Sequence, residues 1–64
     1  MNEFELAAAK ARLEAAARQI NKRLEAIETT FENGKGDGHL KAEEINLYLL
    51  LSTVTGKPNK YIEF

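Results

Sequence analysis

Asn33-Gly34-Lys35-Gly36-Asp37-Gly38-His39 is the stretch on which the fold turns. Its three glycines supply the positive φ angles that end a helix and reverse the chain, and Asn33-Gly34 is a helix stop in its own right. On the N-terminal side, residues 3–32 contain neither Gly nor Pro. They are rich in Ala, Leu, Glu, Lys and Arg, the strongest helix formers. On the C-terminal side, residues 40–55 read as a second helix, closed by Gly56 and Pro58. Glu43 and Glu44 are placed in its first turn, where the helix dipole favours negative charge. The whole chain is 64 residues, so it forms a single domain over 1–64. The predicted fold is an all-α helical hairpin: helix over 3–32, turn over 33–39, helix over 40–55, tail over 56–64.

The first helix carries a coiled-coil pattern. Leu13, Ala17, Ile20, Leu24, Ile27 and Phe31 follow one another at steps of 4 and 3, a heptad seam. Leu6, Leu13, Ile20 and Ile27 take the d positions. Ala17, Leu24 and Phe31 take a, and Lys10 is the polar intruder at a. The second helix places Ile45, Tyr48, Leu49 and Ser52 on one face and Leu47, Leu50, Leu51 and Val54 on nearly the opposite one. A helix apolar on two sides is buried on two sides.

Length then constrains assembly. The first helix is roughly 45 Å long and the second about 24 Å. Folded back, the second shields Ile20 to Phe31 and leaves Leu6 and Leu13 bare. The simplest completion is a homo-oligomeric bundle, a dimer first. Its expected interface comprises Leu6, Leu13, Ala17, Ile20, Leu24, Leu47, Leu50, Leu51 and Val54. The tail ends in Tyr61-Ile62-Glu63-Phe64 and is expected to dock, on the outer face of the second helix, read as Leu47, Leu50, Leu51 and Val54, or on a partner.

Composition narrows the function. The net charge of −1 sets up no field that draws nucleic acid or an anionic membrane. Cys is absent, which removes disulfides, thiol catalysis and thiolate metal sites. The start, Met1-Asn2-Glu3-Phe4-Glu5, is acidic where a secretory leader is basic. The longest apolar run, Leu47 to Leu51, is far short of the roughly 20 residues of a membrane span. The cytoplasm is therefore the expected compartment. In size and composition the chain is comparable to short proteins of phages and mobile elements.

Around the turn, Asn33 to Glu44 resembles the twelve-residue calcium loop of EF-hand and dockerin proteins. Gly38 falls at the sixth place, Leu40 at the eighth and Glu44 at the twelfth, where that family supplies a bidentate carboxylate. Asn33 stands at the first place and Asp37 at the fifth. The resemblance implies a metal set of Asn33, Asp37 and Glu44. Lys35 departs from it, putting a cation at the third place, and no second loop pairs with this one. The competing reading is a plain helix–helix connection with no cofactor.

Helix 1 also carries a basic band, Lys10, Arg12, Arg18, Lys22 and Arg23, followed by Glu25, Glu28 and Glu32. Such a band fits phosphates or an acidic protein face. The cations scatter around the helix, where a reading helix would cluster them, so nucleic acid is the weaker partner. His39 is the lone imidazole, with no Cys or second His beside it in sequence, and no catalytic set is identified. The expected function is that of a non-enzymatic protein-interaction module, an adaptor, regulator or inhibitor acting as a homo-oligomer. Its expected partner contacts are Arg12, Arg18, Lys22, Arg23, Tyr61 and Phe64. The alternatives are a degenerate single-loop calcium binder and a nucleic-acid-associated protein.

Overall fold

The computed structural model describes residues 2–63, and these form two helices, α1 (Glu3–Glu32) and α2 (Gly38–Thr55), folded into a hairpin. Neither is long and apolar enough to cross a membrane. Phe64, expected as a partner contact, lies outside the described residues.

Each helix end is satisfied locally. The Asn2 side chain accepts a hydrogen bond from the Glu5 amide at 2.8 Å and caps α1, with Glu3 and Glu5 in the first turn. At the other end Gly34 takes a left-handed φ of 73°. Its amide donates to the Phe31 carbonyl at 2.9 Å, and the Lys35 amide donates to the Thr30 carbonyl at 3.1 Å. These paired bonds are a Schellman closure, which needs the conformational freedom of glycine at this position. Gly36 is required for a different reason: a Cβ there would lie 2.0 Å from the Phe31 ring. Asp37 then caps α2, its carboxylate accepting from the Leu40 amide at 2.8 Å.

That cap corrects the expected boundary. The turn ends at Asp37, and Gly38 and His39 belong to α2 in spite of the poor helix propensity of glycine. Glu43 and Glu44 consequently lie beyond the first turn, out of reach of the favourable end of the dipole.

Leu24 and Ile27 of α1 are buried between the helices, with Ile20 and Phe31 half-buried. Two polar bridges flank this seam from the adjoining g and e positions, as in coiled coils. On one side the Arg23 guanidinium donates to both oxygens of Glu43, at 2.6 and 2.9 Å. On the other the Tyr48 hydroxyl donates to the Glu28 carboxylate at 2.6 Å.

The same bridges fix which face of α2 meets α1. At about 100° per residue, Glu43 and Tyr48 bracket an arc holding Leu40, Leu47 and Leu51. All three are half-buried, as is Val54. Leu47, Leu51 and Val54 therefore lie on the side of the hairpin partner, where the sequence reading had assigned an outer face. The outward apolar groups of α2 are Leu49 and Leu50, the latter 53% exposed.

Past the end of α2 the seam of α1 has no cover. Leu6 and Leu13 are about half exposed, and Phe4 is 88% exposed. The molecule measures 48 × 23 × 15 Å. Its radius of gyration is 14.2 Å, whereas a compact chain of this length has about 11 Å.

Gly36→Ala is expected to destabilise the hairpin by about 1–3 kcal/mol, because Phe31 must move. Gly38→Ala, with open space around the new methyl group, is expected to leave it unchanged or up to about 1 kcal/mol more stable. Urea denaturation of the two variants measures the contrast.

Candidate interaction surface

The tail is held by a buried carboxylate. Glu44 is only 3% exposed. Its Oε1 accepts from the Tyr61 hydroxyl at 2.5 Å and from Lys41 Nζ at 3.0 Å, and lies 3.7 Å from Lys60 Nζ. The Tyr61 hydroxyl in turn accepts from Lys41 at 2.8 Å. The Tyr61 ring meets Tyr48 edge to face at 5.4 Å, and Lys60 Nζ sits 4.8 Å from the centre of the Tyr48 ring.

Asn59 shapes this turn of the tail. It exchanges backbone hydrogen bonds with Ile62, accepts from the Tyr61 amide through Oδ1, and donates from Nδ2 to the Tyr48 carbonyl at 2.8 Å. The tail thus docks along Lys41, Glu44 and Tyr48, beside the nearly buried Ser52. It does not take the Leu47, Leu50, Leu51 and Val54 face that the sequence had offered it.

These contacts set the ionisation of two groups. The Tyr61 hydroxyl, followed by the Lys41 and Lys60 ammonium groups, holds the Glu44 carboxyl below its ordinary 4.5, against the opposing effect of burial. The Glu28 carboxylate, with burial, pushes the Tyr48 phenol up to about 12.

The expected partner contacts divide accordingly. Arg23 is engaged by Glu43 and Tyr61 by Glu44, so both serve the hairpin itself. Arg12, Arg18 and Lys22 are exposed and form no ion pair among the described residues. Arg18 and Lys22 edge a shallow depression of about 300 Å³ with Ala15 and Gln19. Of the expected oligomer interface, Leu24 is consumed inside the hairpin. Ala17, Ile20, Leu47, Leu51 and Val54 are half-buried, while Leu6, Leu13 and Leu50 are exposed. Leu13, Ala17 and Val54 share an open cleft of about 690 Å³ where α2 ends, edged by Lys10, Glu14, Thr55 and Lys57.

The residues of the calcium-loop resemblance are used otherwise. Asn33 closes α1, Asp37 caps α2, and Glu44 is bound to Tyr61 and Lys41. From the sixth place onward the twelve-residue stretch is helix. Among the described residues no group of three His, Cys, Asp or Glu side chains is placed to hold a metal ion.

Sequence reasoning missed the Glu44–Tyr61 lock and the Arg23–Glu43 pair. A signal for the first was present: Glu44 falls between Leu40 and Leu47 on the apolar arc of α2, and a lone carboxylate there requires partners.

Glu44→Gln and Tyr61→Phe are each expected to cost about 1.5–3 kcal/mol, the scale of hydrogen bonds to a charged group. A lowered carboxyl pKa contributes stability above 4.5 that is lost as the pH falls through the folded value. The stability gap between the parent and Glu44→Gln should therefore narrow below pH 4.5, as followed by denaturation at graded pH. The raised Tyr48 pKa has the opposite sign. Its contribution is complete below pH 10 and disappears between pH 10 and about 12. In Tyr61→Phe, which leaves Tyr48 as the lone tyrosine, phenolate absorbance should rise only near the upper value.

No protein-family model matches the chain, and no curated protein or solved structure was found to resemble it.

Proposed function

We propose that this chain is a protein-interaction module that works as a homo-oligomer, a dimer in the first instance, serving as an adaptor, regulator or inhibitor of a larger partner. The observation that carries this reading is the uncovered half of α1. Leu6 and Leu13 continue the seam that buries Leu24 and Ile27, yet stand about half exposed beyond the end of α2. A heptad seam with half its length bare has the form of one side of a helical interface.

The exposed cations Arg12, Arg18 and Lys22, without an ion pair among the described residues, form the surface offered to an acidic partner. Rim charges of this kind act on the rate and specificity of encounter more than on affinity.

The test is the mass in solution, by light scattering, of the parent and of Leu13→Asp. The parent is expected at about twice 7.2 kDa or more, and the variant at 7.2 kDa with its hairpin intact. Leu13 is far enough from Leu24 and Ile27 for the core to survive the change. A parent chain that stays at 7.2 kDa at millimolar concentration overturns the oligomer.

A further inference from the structure

We infer that two copies pair antiparallel through the N-terminal halves of α1, Leu6 of each copy seating in the partner's cleft between α1 and the end of α2. This inference rests on the oligomer reading and adds the surface and the orientation.

Area is the first argument. The chain exposes 5074 Å². A compact monomer of this mass exposes about 4100 Å². The excess, about 1000 Å², matches the roughly 800 Å² that each partner contributes to a standard interface. Phe4, Leu6 and Leu13, all exposed, lie where α1 runs on alone.

Shape is the second. The cleft of about 690 Å³ has Leu13, Ala17 and Val54 as its apolar lining. In an antiparallel pair a positions face d positions. Leu6 (d) then lies over the partner's Ala17 (a), a large group on a small one, while its own Ala17 receives the partner's Leu6. The contact is reciprocal and closes on itself, as a two-fold interface must.

Charge is the third. Lys10 occupies an a position, so a parallel in-register pair would set it directly against its own copy. Antiparallel, it faces the partner's Leu13, with the partner's Glu14 one residue on. Parallel pairing would instead stack the acidic first turn and the basic band each upon itself.

The two-fold axis then passes between residues 11 and 12 of α1, which dictates the experiment. Thr29 is exposed and off the seam. Thr29→Cys is labelled with a nitroxide, its mass checked by light scattering, and the distance between labels measured by pulsed electron paramagnetic resonance. Antiparallel pairing predicts about 50 Å, the rise of 35 residues of helix. A separation below about 20 Å in a chain of dimer mass overturns the antiparallel inference and leaves self-association standing. Absence of any dipolar signal at monomer mass overturns both.

Discussion

The constraint from which the rest of the structure follows is the unequal length of the two helices. α1 has 30 residues and α2 has 18. A hairpin of such partners buries one half of the long helix and exposes the other, whatever the loop. The buried half contains Leu24 and Ile27, with Arg23–Glu43 and Glu28–Tyr48 closing its two edges. The exposed half repeats the same seam without a cover. A core of two buried apolar side chains among the described residues is small even for a chain of this size, and chains below roughly 70 residues ordinarily need further support.

Some of that support is polar. The Glu44 carboxylate would be costly in an apolar seam if unpaired. Tyr61 and Lys41 satisfy it, and in doing so they draw the part of the tail beyond Pro58 back across α2. One buried acid thereby links three segments: the first turns of α2, the middle of α2 through Tyr48, and the C-terminal turn shaped by Asn59. Among the described residues the bare half of α1 receives nothing comparable, and a second copy is the cover we propose for it.

The architecture was legible where the signals are local. The glycines at 34 and 56 do what glycine at a helix end does, with left-handed φ angles of 73° and 67°. The heptad steps from Leu13 to Phe31 identified the seam, and the length mismatch foretold that Leu6 and Leu13 would be left out. What escaped depends on contacts between distant residues. Tyr61 lies 17 positions from Glu44, and Arg23 lies 20 from Glu43, so no periodicity connects them. The start of α2 was placed late because Gly38 has poor helix propensity, which the Asp37 cap overrides. The facing side of α2 was misassigned because Leu47, Leu51 and Val54 compete with Ile45, Tyr48 and Leu49 for the same role in a helix apolar on two sides. Only the flanking bridges at Glu43 and Tyr48 decide between them. Of the residues of the calcium-loop pattern, Asn33 and Asp37 stand where helix ends need them, and Glu44 is bonded to Tyr61 and Lys41.

Thermal unfolding followed by circular dichroism over a hundredfold range of protein concentration tests self-association most directly. If two chains must meet to cover the seam, unfolding is coupled to dissociation, and the melting temperature rises steadily with concentration. A melting temperature that stays constant over that range would show that the hairpin stands alone and contradict the dimer.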